Sequence, residues 1–196
     1  MTTLSRRARH PRRTVAGLAT ILAAAGVAVG SGADFTSRSA NPANTFTAGT
    51  LAIDDSRDGA AIFTPSNMKP GGAPQTGTVD IENDGTIGAA FTLGRDSLEN
   101  TDSGESNPAP FAAKVNLVVT DCGEFDGSAA PSCGDGDDAK VYDGTLGAMD
   151  GDRSLGDFGA GERHRYSFAA ALDASAGNEY QGDGASARFV WDAVQK

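Results

Sequence analysis

Apolar and polar residues alternate with a period of two along much of the chain, and helical periodicity is nearly absent. The apolar members of these alternations are Phe111, Ala113, Val115, Leu117 and Val119; Val79 and Ile81; Phe91 and Leu93; Tyr166, Phe168, Ala170 and Leu172; and Phe189, Trp191 and Ala193. Such alternation is typical of strands with one buried and one solvated face. The set from Phe111 to Val119 predicts a single long strand.

Gly, Asp, Asn, Pro and Ser separate these runs, as expected for turns between strands. About eight strands of ordinary length result, and we predict an all-β, jelly-roll-like sandwich of two antiparallel sheets. The polar segment from Gly94 to Pro110 is predicted to be loop with at most a short helix. An immunoglobulin-like sandwich is less favoured, because Trp191 follows both cysteines instead of lying between them.

Two turn sequences have a direct conformational interpretation. Pro70-Gly71 predicts a type II turn, because proline fixes φ and the following glycine tolerates a positive φ. Asn83-Asp84-Gly85 predicts a hairpin bend into the strand from Ile87 to Leu93. We interpret both as determinants of the fold rather than as ligand contacts.

The N-terminal region, residues 1–33, has the pattern of an export signal. A head with five arginines precedes an apolar run from Val15 to Val29, and Ser31-Gly32-Ala33 offers small residues for signal peptidase. The run is about 15 residues, shorter than the roughly 20 of a membrane span, although an uncleaved anchor is the alternative. We predict cleavage after Ala33, which leaves an N-terminal segment, residues 34–43, and a single domain, residues 44–196. The cleaved protein is predicted to be secreted and not membrane-bound.

Removal of the leader makes the remaining protein strongly acidic. The leader contains five of the 16 basic residues and none of the 26 acidic ones, so the remainder has a net charge of −15. Such a charge disfavours binding to nucleic acid, and no basic patch is available to neutralise phosphates.

Cys122 and Cys133 are the two cysteines of the chain. In an exported protein this pair favours a disulfide over metal or redox chemistry. No Cys-x-x-Cys spacing or adjacent base supports the alternative, a reactive thiol pair.

Acidic residues cluster on glycine-rich loops at Asp135, Asp137 and Asp138, and again at Asp150 and Asp152. Carboxylates in such loops suit calcium, but the spacing is not that of an EF-hand. The pattern therefore favours solvated acidic turns over a calcium site, and we predict no cofactor.

No catalytic motif is present. After the leader the chain has one histidine, His164, whereas zinc peptidases commonly use two histidines on one helical face with a glutamate between them. No Gly-x-Ser-x-Gly sequence supports serine chemistry. We predict that the protein is not an enzyme and that His164 is an exposed strand residue.

Five segments in order resemble the TasA/camelysin family of secreted proteins. They are Asn44–Ile53 as a first strand, Met68–Gly71 as a Leu-Lys-Pro-Gly-like turn, Val79–Gly85 as a strand ending in Glu-Asn-x-Gly, Asn178–Gly182, and the terminal aromatic strand from Phe189 to Gln195. Each segment alone is weakly specific, but the five together span nearly the whole chain after the leader. The chain lacks the long central insertion of the fibre-forming relatives and adds the Cys122–Cys133 loop.

The resemblance implies a structural protein of an extracellular fibre or biofilm matrix, whose subunits join by donor-strand complementation. The donor strand would then be the segment that begins with Asp34, Phe35, Thr36, Ser37 and Arg38, with Phe35 as its anchor. The implied partner is a second copy of the chain, with or without an accessory matrix subunit. Alternatively, this segment pairs with its own sheet or stays frayed. The alternative functions are a monomeric secreted binding or adhesion module and a camelysin-like metallopeptidase.

Overall fold

The computed structural model describes residues 48–104, 107–127, 129–134, 136 and 138–196. The eight strands are β1 (Ile53–Asp55), β2 (Gln75–Asn83), β3 (Ala89–Thr101), β4 (Val115–Glu124), β5 (Ala139–Thr145), β6 (Arg153–Phe158), β7 (Arg163–Leu172) and β8 (Gly184–Gln195). Three short 3-10 helices lie at Phe111–Lys114, Leu146–Ala148 and Asn178–Tyr180. The predicted all-β fold is confirmed.

The strands form two antiparallel sheets packed as a sandwich. The larger sheet has the order β1-β2-β7-β4-β5, and the smaller one has the order β6-β3-β8. The order β2-β7-β4-β5 is that of one complete jelly-roll sheet, and β6-β3-β8 supplies three of the four strands of the other. Among the described residues, the position without a strand is the one beside β8, where a jelly roll places its first strand. Here β1 pairs with β2 instead.

The alternating apolar residues of the sequence form the core between the two sheets. Val79, Ile81, Phe91, Leu93, Leu117, Val119, Tyr166 and Phe168 are each at most 1% exposed. Phe91 stacks on Phe158 with ring centroids 4.4 Å apart, and Phe168 packs on Phe189 at 4.8 Å. The period-two interpretation of β2, β7 and the start of β3 is therefore confirmed.

The predicted long strand from Phe111 to Val119 is correct only from Val115 onward. Phe111–Lys114 is a 3-10 helix, closed by a hydrogen bond from Ala113 N to Pro110 O. In this turn Ala112 is buried and Ala113 is exposed, which breaks the predicted alternation. The Ala112 amide donates to Asn100 Oδ1 at 2.8 Å and so ties the turn to β3.

The predicted loop from Gly94 to Pro110 is wrong over its first half. β3 continues to Thr101, because β8 pairs with it from Ala89 as far as Thr101, with a bulge between Arg95 and Ser97. The polar side chains of this half do not prevent strand formation, since they lie largely in solvent.

The turn at Asn83 does not make a hairpin, which corrects the prediction from Asn83-Asp84-Gly85. β2 and β3 belong to different sheets, and the chain crosses the sandwich between them. Asn83 is completely buried, and its side-chain amide donates to the carbonyls of Ile87, Phe158 and Gly159 at 2.8–3.1 Å. Its Oδ1 accepts from Gly85 N, so one side chain connects the β2–β3 and β6–β7 turns.

The turn at Pro70-Gly71 has the predicted features of type II. Gly71 has a φ of 66°, and Gly72 N donates to Lys69 O at 2.9 Å. Gly71 N also donates to Leu172 O at 3.0 Å, which anchors the turn at the end of β7.

The predicted first strand, Asn44–Ile53, is only partly within the described residues. Residues 48–52 are not in a strand, and the Leu51 side chain is 42% exposed. Strand β1 begins at Ile53. Thr50 instead holds the β2–β3 turn, with its carbonyl accepting from Thr86 N at 2.9 Å.

The predicted disulfide joins Cys122 in β4 to Cys133 in the β4–β5 connection, with a Cα–Cα distance of 4.8 Å. It spans a segment with few buried apolar residues, so the bond limits the conformations of that segment in the unfolded chain. We expect reduction to lower the free energy of unfolding by about 2–4 kcal/mol. Denaturant unfolding with and without dithiothreitol measures this, and a Cys122→Ala, Cys133→Ala variant must show no effect of the reductant. An unchanged midpoint for the reduced wild-type protein would contradict the expectation.

Candidate functional site: the open edge of β8

Strand β8 lies at the edge of the smaller sheet. Over twelve residues it pairs with β3 on one side, and no described residue pairs with it on the other. An edge of this length presents a row of main-chain donors and acceptors to which another strand can be added.

The inward-facing side chains of β8 alternate along the strand and are Ala185, Ala187, Phe189, Trp191 and Ala193. All five are only half-buried, unlike most inward residues of β2, β3 and β7. The absence of a neighbouring strand among the described residues explains this partial exposure. On the outward side, Arg188 forms an ion pair with Asp96 of β3.

A groove of about 820 Å³ with both polar and apolar lining residues runs beside the first half of β8. Ala185, Ala187 and Phe189 form one wall, and the segment Phe63–Met68 forms the opposite wall. The floor comes from the larger sheet and includes Leu117, Ala170 and Leu172. We call this the β8 groove. It lies between the two sheets, next to the strand position that a complete jelly roll would fill.

The Phe63 wall is held in place by close contact with β2. A side chain at Gly77 would overlap Phe63 Cβ and the carbonyl of Ile62. Phe63 also packs on Phe168, with ring centroids 6.3 Å apart. Glycine at this position therefore allows the segment to lie directly on the larger sheet.

Tyr180 closes one end of the β8 groove. Tyr180 is 3% exposed, and its ring centroid lies 6.5 Å from that of Phe111. The Lys114 ammonium lies over the ring, 5.9 Å from its centroid. The hydroxyl is buried and has no hydrogen-bond partner among the described residues.

The predicted donor residues Asp34, Phe35, Thr36, Ser37 and Arg38 lie outside the described residues, as do the whole leader and residues 44–47. Sequence reasoning named these donor residues but no acceptor. The sequence offers no local signal for an acceptor, because Ala185 and Ala187 are ordinary small residues that lie between Asp183 and Phe189 in the alternation.

Of the predicted acidic cluster, Asp135 and Asp137 also lie outside the described residues. The Asp138 carboxylate accepts a hydrogen bond from Gly134 N. Asp150 is near Arg153 at 4.0 Å. The described part of the chain contains no group of three or more His, Cys, Asp or Glu side chains arranged to hold a metal ion.

The prediction that His164 is an exposed strand residue is wrong. Its side chain is 16% exposed and faces inward at the start of β7, stacked on Phe158 with ring centroids 4.5 Å apart. Nδ1 lies 2.9 Å from Asp121 Oδ2, and Nε2 lies 3.1 Å from Glu162 Oε1. His164 faces inward because it lies two residues before Tyr166 and four before Phe168, on the same face of the strand.

Comparison with known proteins adds no assignment. Neither a protein-family model nor a curated protein matches the sequence. Within the described ranges, no helix is long and apolar enough to cross a bilayer.

Proposed function

We propose that this protein is an exported subunit of an extracellular fibre, and that it assembles when the N-terminal segment of one copy adds to β8 of the next. The observation that carries this proposal is the strand position beside β8, which no described residue occupies. The described chain supplies seven of the eight strands of a jelly roll in their expected positions and leaves that one open.

The β8 groove has the chemistry that an added strand needs. The free edge of β8 offers main-chain hydrogen bonds, while the half-buried Ala187 and Phe189 offer apolar contact to every second residue of a donor. The proposed donor segment has one large apolar residue, Phe35, among small and polar ones. Phe35 is therefore the residue that we place in the groove.

The charge of the protein also favours strand addition over association of its flat faces. A net charge of −15 for the chain after the leader opposes close approach of two copies at any large surface. A narrow contact formed by main-chain hydrogen bonds and a single apolar anchor keeps most of the acidic residues apart. The resemblance to the TasA/camelysin proteins is consistent with this mode of assembly.

A charge placed in the groove should prevent assembly without unfolding the protein. We expect Ala187→Glu to abolish filaments of residues 34–196, because a donor side chain would have to desolvate the new carboxylate. Val194→Glu is the matched control, since Val194 is also in β8 but is 67% exposed and does not line the groove. Circular dichroism of both variants checks that the sandwich is intact.

Two results of this comparison would contradict the proposal. Filaments of Ala187→Glu equal to those of the wild type would mean that the groove is not the acceptor. Monomers from the wild type and both variants at every concentration would instead favour the monomeric binding module, for which the same groove is the candidate contact.

A further inference from the structure

We propose that His164, Asp121 and Glu162 form a proton-dependent latch, which holds the β6–β7 turn against strand β4 while the imidazole is charged and releases it when the imidazole loses its proton. The latch does not depend on fibre assembly. It lies at the His164 end of β7, whereas the β8 groove adjoins the Leu172 end of that strand.

The geometry requires a charged imidazole. Nδ1 is within 2.9–3.0 Å of both carboxylate oxygens of Asp121, and Nε2 is 3.1 Å from Glu162. A carboxylate only accepts hydrogen bonds, and a neutral imidazole has a single N–H. Only the doubly protonated ring can donate to both partners. A neutral ring would direct a lone pair at one of the two carboxylates.

Each partner of His164 belongs to a different structural unit. Asp121 lies at the bulge of β4, next to the disulfide-bonded Cys122, and its Oδ1 accepts from Gly123 N at 2.9 Å. Glu162 is in the β6–β7 turn, where its Oε2 accepts from Gly159 N at 2.6 Å. The imidazolium therefore bridges a strand of the larger sheet and a turn that leads from the smaller one.

The other charged groups around the latch are either paired away from it or exposed to solvent. Arg163 and Arg165 point to the opposite face of β7, where they form ion pairs with Glu82 and Asp80 of β2. On β6, Asp157 forms an ion pair with Lys196. On β4, Glu124 is the register partner of His164 and is exposed.

Two uncharged ring contacts complete the surroundings. Tyr166 lies beside His164 at 6.3 Å between ring centroids, and its pKa is raised by burial and by the nearby Asp121, so it remains neutral. Phe158 covers the face of the imidazole. Ile81 of β2 is the residue opposite His164 in the β2–β7 register. No described cation competes with His164 for the two carboxylates.

The pKa of His164 has the direction that the latch requires. Burial of the ring lowers the pKa, but the hydrogen bonds and charges of Asp121 and Glu162 outweigh burial, so the pKa lies above its usual value. A raised pKa in the folded state stabilises the protein fully below the unfolded value of about 6.5. That contribution is lost as the pH rises through the folded-state pKa.

The first test is a nitrogen-15 NMR titration of the exported form, in which His164 is the single histidine because His10 lies in the leader. We expect a doubly protonated ring at pH 6 and a titration midpoint above the usual imidazole value of about 6.5. Asp121→Asn and Glu162→Gln should each lower the pKa of His164. Glu99→Gln, an exposed glutamate of β3, is the control and should leave it unchanged. A ring that is neutral at pH 6, or that is insensitive to both variants, would overturn the proposal.

The second test distinguishes a latch from a histidine that is merely charged. The Gly159 amide donates a hydrogen bond to the Glu162 carboxylate, and the Gly161 amide donates to the Asn83 carbonyl. Exchange of these two amides therefore reports opening of the β6–β7 turn. We expect their hydrogen-exchange protection factors to fall about tenfold as the pH passes the His164 titration. His164→Gln should show no such step. Protection that does not change with pH in the wild type would overturn the latch even if the titration is as expected.

Discussion

Replacement of Asn83 by alanine should destabilise this protein more than any other single polar substitution in the described sandwich. The variant removes a buried amide that donates to three carbonyls and accepts from Gly85 N. Gly159 O would still accept from Glu162 N at 3.2 Å, but the side-chain contacts to Ile87 O, Phe158 O and Gly85 N would be lost, so we expect a loss of about 3 kcal/mol of unfolding free energy. For a domain of this size the loss corresponds to a decrease of about 10 °C in melting temperature.

Asp84→Ala is the matched control for this experiment. Asp84 is the next residue of the same turn and is exposed, so we expect a change within about 0.5 kcal/mol. Urea unfolding of the two variants beside the wild type gives both values. Equal stabilities of Asn83→Ala and Asp84→Ala would show that the buried amide does not hold the two turns together.

Deletion of residues 34–43 should have the largest effect on assembly. Without this segment no copy can offer a strand to β8 of another, and we expect a chain that begins at Asn44 to remain monomeric. Sedimentation velocity over a range of concentrations measures this directly. A synthetic peptide of residues 34–43 should then bind the shortened chain in trans and occupy the β8 groove.

Trp191 reports that binding event. It is the one tryptophan of the protein, faces inward from β8 and is half-buried. A strand added at the free edge would cover it further, so we expect its fluorescence emission to shift to shorter wavelength with a saturable dependence on peptide. The same peptide with Phe35 replaced by serine should bind weakly or not at all. A saturable shift that is equal for both peptides would remove Phe35 from the role of anchor.

Much of the sandwich could be predicted from local sequence, because period-two alternation directly marks the buried face of a strand. Val79 and Ile81 in β2, and Tyr166 and Phe168 in β7, were placed correctly on this basis. The turn at Gly71 and the Cys122–Cys133 disulfide also follow from local chemistry and from the predicted export.

The errors arise where a contact distant in sequence decides the local structure. The polar half of β3 becomes strand because β8, about 90 residues later, pairs with it. Asn83 bonds to Phe158 and Gly159, which no turn rule could indicate. His164 is largely enclosed because it bonds to Asp121, 43 positions earlier, as well as to the nearby Glu162. Propensity and spacing contain no information about such partners.

The β8 groove was missed for a related reason. Neither the alanines of β8 nor the sequence of Phe63–Met68 is unusual alone. The β8 groove forms because the strand order of the described residues puts no strand on the outer side of β8 and brings the Phe63–Met68 segment close to Ala187. The order of strands in a sheet is a property of the whole fold, and it becomes visible only with the structure.

The central claim is that the N-terminal segment of one copy completes the smaller sheet of another. Negative-stain electron microscopy of residues 34–196 beside residues 44–196 tests it most directly. Our account predicts filaments from the longer chain and isolated particles from the shorter one at the same concentration. Filaments from both chains, or from neither, would contradict it.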